Sequence, residues 1–201
     1  MEISARQASV RDRDALIEAF GAASADEVVT TWLLEEQPDT SVHAAFVPRL
    51  IDAALRDDEI WVAGAGEEIW SVSLWQHITS VERFAEEAAE AQTMAEQAPG
   101  MRVLQRVAIL TDLLAREHPR EFPHQYLQVI VTVPEHRGKG AGAAILADRL
   151  KAASEASVPA FLEASTERSA RLYSRSGFAR TGITHTLPEN GPALIPMWFR
   201  P

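Results

Sequence analysis

The segment Arg137-Gly138-Lys139-Gly140-Ala141-Gly142 places two cations and three glycines in six residues, between an apolar run and a helix-like one. Glycine lets backbone approach a ligand with no Cβ in the way. The first N–H groups of a helix have no internal acceptor and carry partial positive charge. Strand, glycine-rich loop and helix in that order make a site for a phosphate or pyrophosphate, with Arg137 and Lys139 adding charge. A tight turn with a helix cap remains the alternative at this stage. The pattern is not G-x-x-x-x-G-K-[ST], which excludes a triphosphate loop. Gly138-x-Gly140-x-x-Ala143 fits G-x-G-x-x-G/A, and Glu163 follows 20 residues on, so a dinucleotide fold has to be weighed. Against it, Pro134-Glu135-His136-Arg137 separates the strand from the first glycine, and no second βαβ half follows.

Other chemistries are thin. There is no cysteine, which removes thiolate nucleophiles, thiolate metal sites and disulfides. The six histidines show neither H-x-x-x-H nor H-E-x-x-H spacing; His118 and His124 are separated by two prolines. No metal is expected. A formal net charge of -10 opposes binding to nucleic acid; it serves solubility, with attraction of cationic substrates such as amines as the alternative reading.

The elements that must position the loop are readable from periodicity. Tyr126–Val133 is an apolar, β-branched run and predicts a buried central strand. Gly140–Ser157 predicts a helix, with Ile145, Leu146, Leu150 and Ala153 at helical spacing. Ala160–Ala164 predicts a strand, parallel to the first by the right-handed crossover rule. Glu167–Arg175 predicts a short helix closed by Gly177.

Before these, Ile3–Ala8 reads as a strand, and helices are expected from about Arg11 and over about Val42–Arg56, with a break at Pro38-Asp39-Thr40. Glu59–Ala63 and Ile69–Trp75 read as a hairpin around Gly64-Ala65-Gly66-Glu67. Val81–Glu117 reads as two helices split at Pro99-Gly100, the second burying Val103, Leu104, Val107, Leu110, Leu113 and Leu114. Strands near Phe178–Leu187 and Ala193–Phe199 close the chain. The class is α/β or α+β, one domain over residues 1–201 around one mixed sheet. Met1-Glu2-Ile3-Ser4-Ala5-Arg6 is no signal peptide and no apolar run is long enough to span a membrane, so a cytoplasmic location is expected.

Val133-Pro134-Glu135-His136-Arg137-Gly138-Lys139-Gly140-Ala141-Gly142 resembles the acetyl-CoA loop of the GNAT superfamily of N-acetyltransferases, [QR]-x-x-G-x-[GA] after V-x-P-x. Leu162-Glu163-Ala164-Ser165 followed by Leu172-Tyr173-Ser174-Arg175-Ser176-Gly177-Phe178 resembles that superfamily's late strand and L-Y-x-x-x-G-F segment. Val158-Pro159-Ala160-Phe161-Leu162-Glu163, the Trp-bearing strand at Trp75 and the helix before His118-Pro119 are similar to puromycin N-acetyltransferase and its relatives. The likeness runs from about Ile60 to the C-terminus.

The resemblance implies a mostly antiparallel sheet of about six to seven strands with helices on both faces. It implies acetyl-CoA as co-substrate. Pantetheine would lie along Ile130, Val131 and Thr132, and pyrophosphate on Gly138, Lys139, Gly140, Ala141, Gly142 and Ala143 beside Arg137. Ser169 stands where many relatives have an asparagine reaching the coenzyme. Tyr173 matches the tyrosine near the sulfur, a general acid for the departing thiolate. Glu163 is the first candidate to take the amine's proton; His124 and His118 are weaker ones, and Trp75 and Tyr126 are candidates to line the acceptor pocket. The expected acceptor is a small-molecule amine, such as an aminonucleoside or antibiotic. A protein N-terminus or lysine, a non-catalytic CoA sensor, and a monomer or homodimer all stay open.

Overall fold

The computed structural model describes residues 2–35 and 41–201. The expected break at Pro38-Asp39-Thr40 lies outside them. The first strand, β1 (Ser4–Gln7), leads into the helix α1 (Arg13–Ser24), which buries Leu16, Ala19, Phe20 and Ala23. The helices α2 (Val28–Leu34) and α3 (Ser41–Asp57) follow. Only two helices are expected in this stretch; the third, α2, exists because the Glu27 carboxylate accepts the N–H groups of Val29 and Thr30 at its start.

The hairpin β2 (Glu59–Ala65) and β3 (Glu68–Ile78) turns at Gly66-Glu67. A Cβ on Gly64 would fall 1.8 Å from the Glu68 carbonyl oxygen, so the bulge beside it requires glycine. The α4 (Glu82–Gln97) and α5 (Arg102–Glu117) helices pack on each other through Ala91, Ala95 and Ala108. Of the α5 positions expected in the core, only Val103 is fully buried; Leu104, Val107, Leu110, Leu113 and Leu114 are half-buried. Next come β4 (His124–Thr132), α6 (Ala141–Ala156), β5 (Ala160–Ala164) and α7 (Glu167–Arg175). The single strand expected near Phe178–Leu187 is instead two short ones, β6 (Ala179–Arg180) and β7 (His185–Thr186), parted by a turn at Gly182 with φ +88°. The last strand is β8 (Ala193–Phe199).

Among the described residues the sheet has eight strands in the order β1-β2-β3-β4-β5-β8-β6, with β7 also on β8. The β4–β5 pair is parallel and the other pairs are antiparallel. That order overturns the dinucleotide alternative, which needs a mostly parallel sheet. Side chains alternate between the faces. Ile60, Val62, Val72, Leu74 and Val131 meet α1 and α3 on one face. Trp75, Leu127 and Leu162 meet α6 and α7 on the other. Among the described residues no helix is long and apolar enough to cross a membrane.

Candidate active site

The parallel strands β4 and β5 pair only at Gln125↔Ala160 and Tyr126↔Phe161. Beyond that point they part. Leu74 opposes Val129 while Trp75 opposes Leu127, so Gln128 bulges out of the ladder and is exposed. Ile130, Val131 and Thr132 keep β3 on one side and leave the β5 side unpaired. Their backbone amides along this edge suit an extended, amide-bearing ligand.

The glycine-rich loop follows directly. Gly138 and Gly140 adopt φ +78° and +97°, conformations that favour glycine. Among the described residues no side chain caps α6, and the N–H groups of Ala141, Gly142 and Ala143 at its start lack intrahelical acceptors. Such a start fits a pyrophosphate. Lys139 is exposed, 3.2 Å from His136 Nδ1 and 5.4 Å from the centroid of Trp70, on which His136 stacks at 4.4 Å. Trp70 and His136 were not expected here. Arg137 is engaged elsewhere. Its guanidinium donates to both Asp26 oxygens (2.7 and 2.6 Å) and to the Thr132 carbonyl (3.1 Å). It pins the loop to the end of α1 rather than standing free for a phosphate.

Across the gap, α7 starts with a capping box in which Thr166 and Ser169 bond each other's backbone and side chains. Ser169 Oγ is therefore a helix cap. Tyr173, one turn on, is 8% exposed and packs with Trp75, Leu127 and Phe178. Burial, and then the Glu27 charge, push its phenol above the ordinary tyrosine range, so it holds its proton. Trp75 is buried, and its indole N–H is bonded to Ser73 Oγ at 3.0 Å.

Glu27 is the functional candidate that sequence reasoning missed. One carboxylate oxygen caps α2; the other accepts Ser165 Oγ at 2.9 Å. Ser165 and Trp32 then line an open cleft of about 460 Å³ with Val28, Thr31, Glu35, Asn190 and Pro192. Glu163 lies two residues before Ser165 on the same face of the chain. It is half-buried and takes a hydrogen bond from the Tyr126 phenol. Burial lifts its carboxyl to about 7, against the lowering effect of that bond. Tyr126 is 3% exposed, and neither it nor Glu163 is among the residues that line the cleft.

His124 and His118 are fully packed, in an aromatic cluster with Phe84, Tyr126 and Phe161 at the far end of β4 from the loop. A carbonyl only accepts, so His124 Nδ1 donates to Glu121 O (2.7 Å) and His124 Nε2 accepts from His118 Nε2 (2.9 Å). That leaves neither histidine at the cleft. Among the described residues no cluster of three or more His, Asp or Glu could hold a metal.

The model of the acetyltransferase (GNAT) domain family matches residues 67–200. The chain belongs to the GNAT acetyltransferase family. This GNAT protein is an acetyl-CoA-dependent N-acetyltransferase. It shares its fold over 100% of its length with 97% of a Corynebacterium glutamicum chain named as histone acetyltransferase HPA2 and related acetyltransferase (24% identity, TM-score 0.70). It also matches a mosquito arylalkylamine N-acetyltransferase-like protein (13% identity, TM-score 0.70) and the Drosophila melanogaster polyamine N-acetyltransferase that forms N-acetylagmatine (15%, 0.66), each over 100% of both chains.

Proposed function

We propose that this GNAT enzyme acetylates a primary amine of a small molecule held in the cleft along α2. The observation that carries this reading is the Glu27 carboxylate, bonded to Ser165 at the cleft wall and close enough to Tyr173 to raise its pKa. A volume near 460 Å³ suits a small molecule, and Trp32, Val28 and Pro192 offer an apolar bed for its body. The acetyl thioester is supplied by acetyl-CoA on the β4 edge and the α6 start. Glu27 attracts the ammonium group. Glu163, poised at about 7, takes its proton and the amine becomes nucleophilic. Tyr173 donates a hydrogen bond to the leaving sulfur; its raised pKa makes it a stabilising donor more than a source of free protons. Amines on relatives of the fold, arylalkylamines and a polyamine product, fit an acceptor of this kind.

The test is steady-state kinetics with acetyl-CoA and a panel of puromycin, an arylalkylamine, agmatine, spermidine and a lysine peptide. Turnover of a small amine, with a raised amine KM in Glu27→Gln, is expected. Puromycin turnover would extend the reading to antibiotic modification. Turnover of the peptide alone would replace it with protein acetylation. Binding of acetyl-CoA without any turnover would make the protein a sensor. Tyr173→Phe is expected to keep acetyl-CoA binding and lower kcat at least about tenfold.

A further inference from the structure

Arg106 lies on the buried stripe of α5 and is 1% exposed. A buried guanidinium is costly unless its donors are matched. Its Nη1 donates to the Trp32 carbonyl. Its Nη2 donates to Glu35 at 2.7 Å and to Glu189 at 3.1 Å, and its Nε to Glu189 at 3.2 Å. Its guanidinium carbon sits 5.0 Å from the Trp32 ring centroid. Trp32 and Glu35 form one wall of the cleft, and Asn190, next to Glu189, belongs to the other. One side chain from α5 therefore ties both walls together.

The second wall would not hold this shape unaided. Glu189 and Asn190 have φ +55° and +58°, a left-handed conformation that strains a glutamate. The bonds to Arg106, and one from Arg102 to Glu189 at 2.7 Å, hold it there. The same bonds set the charge along the cleft. At the far end Glu35 and Glu189 are matched by Arg106 and Arg102. At the near end, among the described residues, the carboxylate of Glu27 meets neutral donors, a serine hydroxyl and two backbone N–H groups. Among the described residues, the end of the cleft nearest Glu27 carries an unpaired negative charge, and the Glu35–Glu189 end carries matched charges.

We propose that Arg106 determines acceptor specificity: it fixes the spacing of the two walls and, by balancing Glu35 and Glu189, selects amines with one positive charge and an apolar body over diamines. The proposal rests on the reading of this cleft as the acceptor site, and it gives the α4–α5 hairpin a task in catalysis as the carrier of that arginine.

The experiment compares kcat/KM for hexylamine and for 1,6-diaminohexane. The wild-type enzyme should prefer the monoamine. Arg106→Gln leaves Glu35 unmatched and Glu189 paired with Arg102 alone, and the ratio should move toward the diamine by about fivefold, the size of a partly screened charge contact, less so at high salt. Arg102→Gln, at the more exposed partner and so safer for folding, should move it the same way by less. Arg106→Lys keeps the charge, and its ratio should stay near wild type while both KM values rise. An equal loss for both amines in the two Gln variants, or a wild-type preference for the diamine, overturns the proposal. Thr31→Trp fills the cleft and separates the two ideas. Unchanged KM for both amines in that variant would mean that the cleft is not the acceptor site at all. A raised KM, with unmoved ratios in the arginine variants, would sink the Arg106 proposal alone.

Discussion

Arg137 and Asp26 form a bidentate ion pair, at 2.7 and 2.6 Å, that bolts the glycine-rich loop to the residue beside Glu27. The guanidinium also donates to the Thr132 carbonyl at the end of β4. The glycine-rich loop and the segment that carries Glu27 are thus joined by side chains of opposite charge. Because Asp26 already neutralises it, Arg137 adds little net charge for a pyrophosphate.

Arg137→Met should therefore change the acetyl-CoA dissociation constant less than about threefold, measured by calorimetry. It and Asp26→Asn should destabilise by similar amounts, up to about 1 kcal/mol each, since the pair is partly exposed. The double variant should be no worse than the weaker single one. A tenfold loss of acetyl-CoA affinity in Arg137→Met would instead make the guanidinium a phosphate ligand.

Gly140→Ala probes the helix start. Gly140 has φ +97°, and an added Cβ would come no closer than 4.0 Å to its nearest neighbour, Ile3 Cδ1. The penalty is then conformational rather than steric, about 1–2 kcal/mol. Denaturant unfolding should show that loss, and acetyl-CoA should bind more weakly as the first N–H groups of α6 turn away. Loss of stability with unchanged affinity would remove the loop from the coenzyme site.

Much of this site is legible in the sequence, and the reason lies in the kind of residue. The run β4, loop, α6, β5 and α7 is marked by a β-branched apolar strand, by Gly138 and Gly140, and by the helical spacing of Ile145, Leu146 and Leu150. These are local signals, and the elements occur where they point. The cleft along α2 is built differently. Val28, Val29, Thr30 and Thr31 are all β-branched, which hides α2 as a helix. Glutamate is not among the usual N-cap residues, so Glu27 gives no warning. Arg106 interrupts an otherwise apolar face three residues after Val103, a visible signal that a core reading of α5 passes over. Its partners, Glu35 and Glu189, are 71 and 83 residues away, and only the tertiary fold brings them together.

The pH profile tests the assignment of Glu163. A base must be ionised, so kcat/KM should rise with pH through about 7. The Tyr126 hydrogen bond favours the ionised carboxylate. Tyr126→Phe removes it and should move this limb to higher pH, by up to about one unit if a single hydrogen bond is worth near 1 kcal/mol. Glu163→Gln should abolish the limb and lower the rate. A limb that stays in place in both variants assigns the proton to another group, with Glu27 next in line.

Two buried groups should also bend the stability curve in opposite directions. Glu163 ionises at about 7 in the fold against 4.5 as a free carboxyl, chiefly from burial. Between those values the folded chain holds the extra proton, so this contribution to stability falls as pH rises. His118 is held down to about 3 against 6.5, by burial and then by His124. There the unfolded chain holds the extra proton, and stability falls as pH drops from about 6.5 toward 3. Each effect is on the order of 1–3 kcal/mol, so the melting temperature should peak in mildly acidic solution. Glu163→Gln should gain on wild type at pH 8 and show no gain at pH 4.5. His118→Gln, which keeps a donor for His124 Nε2, should flatten the acid limb and leave the basic one alone. Melting curves of the three proteins that run parallel from pH 4 to 8 would mean that neither group is held away from its ordinary ionisation.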